Sequence, residues 1–405
     1  MSKGRRPRRS RSSSLGLLFA AAALCLASAG TAVPAAFASP RSAPAGRQLA
    51  ALQGADIVAG DAFGVSVAIS GTAALVGAPG YAKDVGRVYV FAETASGWKQ
   101  SAELQGAKTV GGDFFGYSVA ISGTTAVVGA PGYSKNIGLA YVFTKTGSAW
   151  RQIAELKASD TASNDFFGDS VAVSGQTAVV GADGRAKSAG RAYVFSDAAG
   201  SWKQVAELKG SDSVAKDGFG YTVGVSGTTA VAGAPDHAKN QGRAYVFSEA
   251  AGSWKQIAEL KGSDTAANNG FGVAVAISGT SLVAGAPGYN KAAGRAYVFG
   301  ESGSAWKQVA ELKGSDTAAS DDLGYSVGIS GATAVAGAPG FAKEQGRSYL
   351  FSRAGTVWKQ AAELKGSDSA AGDFFGYSVA VSADAAVAGA DGHAKSAGRA
   401  YVFAP

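Results

Sequence analysis

Seven lysines, Lys83, Lys135, Lys187, Lys239, Lys291, Lys343 and Lys395, recur every 52 residues, and two residues before them stand Tyr81, Tyr133, Arg185, His237, Tyr289, Phe341 and His393. Cations beside aromatic faces suit an anionic partner such as an acidic glycan, a teichoic-type polymer or an acidic protein loop. The same residues also allow a plainer role. Each lysine would answer an aspartate of a neighbouring loop, Lys135 with Asp113 or Asp165 for instance, and pin the chain. Strict repetition favours this brace, because a ligand seldom needs seven copies of one contact.

Specific binding is better sought where the copies differ. Asp169, the run Asp183-Gly184-Arg185, the pair Asp236-His237 and the run Asp391-Gly392-His393 replace residues that are aromatic or Pro-Gly-Tyr elsewhere. Asp183, Arg185, Asp236 and His237 fall in consecutive copies and are the candidate ligand contacts, with the lysines as a wider rim. His237 and His393 are three periods apart, too far for a metal site or an acid–base pair. Asp169, Asp183 and Arg185 would be the material for glycan cleavage, but nucleophile elbows, phosphate loops, paired histidines at metal spacing and a cysteine nucleophile are absent from the sequence. No catalytic residue, cofactor or metal ligand is assigned, and the chain is not expected to be an enzyme.

The elements that position these residues follow from the period. Phe63-Gly64, Phe115-Gly116, Phe167-Gly168, Phe219-Gly220, Phe271-Gly272, Leu323-Gly324 and Phe375-Gly376 lie 52 residues apart without an insertion. Seven copies of that size denote a repeat architecture. Within one copy, residues 117–122 alternate Val119 and Ile121 with small residues. Residues 125–130 are almost wholly apolar and stop at Pro131, and residues 139–143 put Tyr141 and Phe143 on one face. Residues 150–156 alternate Trp150, Gln152, Ala154 and Leu156 with Arg151, Ile153 and Glu155. Four short strands per copy predict an all-β, seven-bladed propeller of four-stranded antiparallel blades, the fourth strand outermost. The lysines and the residues before each first strand then share one rim, where the longer loops lie. Glycine at 77, 129, 181, 233, 285, 337 and 389 and valine at 67, 119, 171, 223, 275, 327 and 379 read as packing positions, as do the six tryptophans on outer strands.

The ends complete one another. The last copy stops after its third strand at Tyr401-Val402-Phe403, while residues 47–52 match the fourth strand, Gln48 lying one period before Gln100. The first strand of the mature chain is therefore expected to close the last blade. Before it, a basic head from Lys3 to Arg11, an apolar run over 15–26 and Ala36-Phe37-Ala38 form a secretory signal over 1–38, followed by a linker over 39–46 and the propeller over 47–405. The apolar run is too short for a transmembrane anchor. Six of the 37 Lys and Arg lie in residues 1–38, leaving 31 against 30 Asp and Glu, so the basic pI gives no reason to expect nucleic acid. The lone cysteine, Cys25, lies in the signal, so the mature chain has no disulfide.

Phe-Gly, Gly-Ala-Pro about fourteen residues on, as at Phe115-Gly116 and Gly129-Ala130-Pro131, and then Gly-Arg-Ala-Tyr-Val-Phe, as at residues 294–299, resemble the FG-GAP repeats of integrin alpha-chain propellers and their secreted bacterial relatives. The resemblance covers the whole mature chain. It implies a seven-bladed propeller and, by analogy, extracellular adhesion or recognition; the chain is expected to be a secreted or cell-surface module that recognises a protein or glycan through one rim, and a monomer. Fold alone does not give activity, and a structural envelope protein is the alternative. Integrin-type repeats often carry a calcium loop of alternating aspartates between the first two strands. Here that connection is Ser-Gly-Thr, as at Ser226-Gly227-Thr228, too short to supply calcium's six to eight oxygens.

Overall fold

Small and branched residues in alternation give each repeat a strand that can lie close to its neighbours. In the second repeat this strand is Ser118–Ser122, followed by Thr125–Ala130, Leu139–Thr146 and Ala149–Leu156, hydrogen-bonded in sequence order as an antiparallel meander. The computed structural model describes residues 22–23, 43–303 and 305–405. In it the pattern repeats as seven blades whose innermost strands contact one another in a closed ring, the seventh meeting the first. The expected signal over 1–38 lies outside the described residues except for Ala22–Ala23, which runs parallel beside Val327 and Gly328 of the sixth blade.

Closure occurs as the sequence implies. Gln48–Leu52 is the outer strand of the seventh blade, antiparallel to Arg399–Phe403, with Gln48 opposite Phe403 and Leu52 opposite Ala400. The Gln48 Oε1 accepts the Ser367 N–H at 2.9 Å, the contact that Gln152 makes with Ala107 and Gln308 with Ser263. Two ends of the chain thus stand where a single repeat stands elsewhere.

Packing follows the repeated residues. All seven repeated valines are buried, and each Phe of a Phe-Gly pair sits between the Tyr and Phe of its own third strand. Phe115, for example, lies 5.4 Å from Tyr141 and 6.0 Å from Phe143, edge to face. Such pairs contribute about 0.5–1.5 kcal/mol beyond the area they bury. The repeated glycine is fixed by crowding: a Cβ on Gly129 would stand 1.9 Å from the Gly168 carbonyl oxygen of the next blade.

Two local features depart from the sequence reading. The outer strand carries a bulge, the register shifting between Gln152 and Ala154, so Ile153 is left facing solvent. An extra residue on an outer strand increases its twist and spoils the edge for pairing with another chain. The connection bearing each lysine is a left-handed turn of three residues, with φ of 50°, 63° and 61° at Ser134, Lys135 and Asn136. A non-glycine residue pays about 1–2 kcal/mol for that conformation. The compensation is interblade bonding: Lys135, Asn136 and Ile137 carbonyls accept N–H groups of Asn164, Phe166 and Phe167. The turn is thus a clasp on the next blade's Phe-Gly step.

Candidate functional site

Around the perimeter of the lysine-bearing rim, six blades share a tyrosine–aspartate pair, which the third-strand arginine joins in the first, fifth, sixth and seventh blades, whereas among the described residues Arg191 and Arg243 of the third and fourth pair only with Glu207 and Glu259. The buried tyrosine of the third strand donates to an aspartate in the loop before the first strand, Tyr297 Oη to Asp264 Oδ1 at 2.7 Å. The same aspartate receives Arg295 at 2.9 Å, and Arg295 also reaches Glu311 on the outer strand at 2.6 Å. Burial alone would raise the Asp264 carboxyl, but hydrogen bonds from Tyr297 and Tyr289 and the charge of Arg295 hold it below its ordinary value. The second blade lacks this cluster. Lys108 takes the aspartate's place and pairs with Glu155 at 2.7 Å, Leu139 takes the arginine's, and the Tyr141 hydroxyl is buried without a partner.

The belt also uses the rings expected to serve as ligand platforms. Arg87 lies 4.0 Å over Tyr81, Arg295 4.1 Å over Tyr289 and Arg347 4.0 Å over Phe341. Arg185 binds Asp160 at 2.8 Å and approaches Asp165 at 3.6 Å. His237 Nδ1 is 2.9 Å from Asp217 and His393 Nδ1 2.8 Å from Asp373. These residues face the belt.

The expected lysine brace is not formed. All seven lysines are exposed, and among the described residues none joins an ion pair. The aspartates they were to answer cap their own loops instead: Asp113 Oδ2 accepts the Val110 N–H at 2.8 Å, and Asp165 the Ala162 N–H at 2.7 Å. A side chain already satisfied three residues away has no need of a distant cation. It is the backbone of the lysine-bearing turn that clasps the next blade.

Toward the axis the chemistry changes. The residue after each Phe-Gly pair reads Val65, Tyr117, Asp169, Tyr221, Val273, Tyr325 and Tyr377, and the residue before each left-handed turn's leading glycine is Asp183 or Asp391 in two blades where the others have proline or, in the fourth, Pro235 ahead of Asp236. These side chains converge. Tyr117 of the second blade is close enough to be influenced by Asp169 and Asp183 of the third blade, Tyr221 of the fourth and Tyr377 of the seventh. Tyr117 hydrogen-bonds Asp169. Tyr325 and Tyr377 stand 5.1 Å apart with planes at 46°.

The carboxyls of this mouth have lost water without gaining a cation. Asp169 is buried, and burial, then the nearby Asp183 charge, raises its carboxyl well above the carboxylate range. Burial pushes Asp183 up to about 6 against backbone N–H groups that favour its charged form, and Asp236 adds to the rise. Burial likewise takes Asp391 up to about 7. One oxygen of each of Asp169, Asp183 and Asp391 is sealed from solvent without a hydrogen-bond partner. No ion pair among the described residues involves Asp169, Asp183, Asp236 or Asp391. Nor, among the described residues, is any group of three or more His, Cys, Asp or Glu arranged to hold a metal ion.

Of the four residues singled out by their departure from the repeat, then, Asp183 and Asp236 meet at the mouth, whereas Arg185 and His237 turn to the belt. Tyr117, Tyr221, Tyr325 and Tyr377 were missed as a group. Their signal was the Val, Tyr and Asp variation at one position of otherwise uniform copies.

The FG-GAP repeat family matches residues 47–91, 98–143, 150–195, 202–247, 254–299, 306–351 and 358–403, one match per period. A comparison with curated proteins finds no significant match.

Proposed function

We propose, from the premise that this chain belongs to the FG-GAP repeat family, that it is a secreted or cell-surface binding module that grips a protein or glycan through the axial mouth of the lysine-bearing rim. One observation carries this reading. The mouth gathers several carboxyls and tyrosines that differ from blade to blade, and Asp169, Asp183 and Asp391 there are desolvated without a cation, while the arginines form the repeated belt. An unpaired buried carboxyl lowers stability, so its presence in a well-packed ring argues for use by a partner. The role is binding rather than turnover. Among the described residues no helix is long and apolar enough to cross a membrane.

The test is capture of cell-wall polymers and extracellular matrix proteins by the purified protein and two variants shown by a cooperative melt to be folded. Asp183→Asn with Asp236→Asn should reduce capture by about tenfold or more, the scale of losing charged contacts at a desolvated site. Lys83→Ala, Lys187→Ala and Lys291→Ala together should change it less than about threefold at moderate salt, because exposed charges are screened. Loss confined to the lysine variant would move the site to the collar, and no capture by the parent protein would favour a structural role.

A further inference from the structure

The sixth blade alone carries an aspartate at the position preceding its Phe-Gly-type step. There the second, third and seventh blades have Phe114, Phe166 and Phe374, and each ring packs over its own turn glycine, a Cβ on Gly132, Gly184 or Gly392 falling 2.9 Å from it. In the sixth blade Asp322 takes that place in the same left-handed backbone conformation, φ 59° against 56° at Phe114 and 55° at Phe374. The first, fourth and fifth blades have the small Ala62, Gly218 and Gly270 there, so the sixth is the one blade that places a carboxylate at this point, and Asp322 lines an open cleft of ≈ 790 Å³ between the sixth and seventh blades.

Three aromatic rings and one acid define its chemistry. Tyr325 and Tyr377, linked by a side-chain hydrogen bond, form one side, and Phe374 from the next blade forms another. Asp322 is partly buried and, among the described residues, joins no ion pair. Burial, then the neighbouring Asp321, pushes its carboxyl up to about 6. Asp321 itself is committed to the Ala318 N–H at 2.6 Å. Glu344 and Lys343 complete the charged lining, leaving an excess of negative charge at neutral pH, and Asp391 stands near Tyr377.

We propose that this cleft is a binding site for an alkylammonium group, a quaternary ammonium head being the best fit. The faces of Tyr325, Tyr377 and Phe374 attract a cation through their quadrupoles, and Asp322 supplies the counter-charge that the protein does not satisfy itself. A methylated ammonium also loses little hydration on entering an apolar wall, whereas a hydroxylated neutral ligand would leave the carboxylate without its charge partner. The inference rests on reading this rim as the binding face, and names the chemistry of one subsite on it.

The probe is choline, titrated calorimetrically into the protein at pH 7.5, with the neutral isostere 3,3-dimethylbutan-1-ol as control. Choline should bind saturably, and the isostere about tenfold or more weaker, since shape is kept and charge removed. Asp322→Asn should weaken choline by a similar factor. Asp322→Phe should abolish binding without loss of melting temperature, because three sibling blades already hold phenylalanine at that backbone conformation. Affinity in the parent protein should fall as pH drops through 6, a trend to which Asp321, Glu344 and Asp391 also contribute and which Asp322→Asn should blunt. Equal binding of choline and isostere, unchanged affinity in both Asp322 variants, or no saturable choline binding overturns the proposal. If choline fails while capture of a partner still depends on Asp183, the cleft falls and the rim reading stands. If choline binds as described but no partner is captured, the reverse holds.

Discussion

The belt and the mouth of one rim are built from the same residue types to opposite electrostatic ends. In the belt Asp264 sits among Tyr297, Tyr289 and Arg295 and is held charged. At the mouth Asp183 and Asp391 have backbone N–H groups and neighbouring acids or tyrosines, but no cation, and are pushed toward the neutral form. The belt's tyrosine–aspartate pair is copied in six blades, the mouth in none. Where seven copies agree, the residues hold the blades; where they diverge, they make one side of an otherwise near-symmetric ring unlike the other.

The largest expected effect comes from cutting the belt where the two chain ends meet. Deleting residues 47–52 strips the seventh blade of its outer strand, leaves the Arg399–Phe403 edge unpaired and removes the Gln48 contact with Ser367. The loss should approach a domain's whole stability, about 5–15 kcal/mol, and appear as aggregation and a missing cooperative melt. Deleting 39–44 should leave the melt nearly unchanged. Equal melts for both deletions would mean that the ring does not depend on its closing strand.

A smaller effect separates an intact belt cluster from the degenerate one. Tyr297→Phe removes a hydrogen bond to a charged carboxylate and should cost about 1.5–3 kcal/mol. Tyr141→Phe removes a hydroxyl that already has no partner and should cost less than about 0.5 kcal/mol or stabilise slightly. Chemical denaturation of the two variants decides it. Similar costs would show that the ring, not the Asp264 contact, supplies the stability.

The smallest effect concerns pH, and its sign differs between the two regions. Asp183 and Asp391 have folded-state values of about 6 and about 7, above the ordinary carboxyl value. Between about pH 4 and 7 the folded state therefore binds more protons than the unfolded chain, and stability falls as pH rises through that window. Belt carboxylates such as Asp56, Asp160, Asp264 and Asp368 are held low, so their contribution is present above the ordinary value and lost as pH falls below about 4. The melting temperature should peak near pH 4–5. Asp183→Asn with Asp391→Asn should flatten a large part of the neutral limb, the remainder belonging to Asp169 and Asp322, and leave the acid limb unchanged. A neutral limb undiminished by the double substitution would place the titrating groups elsewhere.

Sequence alone determined the architecture, because a 52-residue period, four strand patterns per copy and a missing strand at one end matched by a spare strand at the other admit one closed ring. It also marked Asp183 and Asp236 as different from their counterparts. The lysine was misjudged for a physical reason: its repetition comes from a backbone clasp in a left-handed turn, which side-chain chemistry does not announce. The convergence of Tyr117, Asp169 and Tyr377, far apart in the chain, and the cleft beside Asp322 were decided only by closing the ring, since curvature brings positions one or more whole repeats apart to a common axis. What a carboxyl does there depends on which neighbours the fold puts within a few ångströms, and the local sequence around Asp183 and Asp264 does not encode that difference.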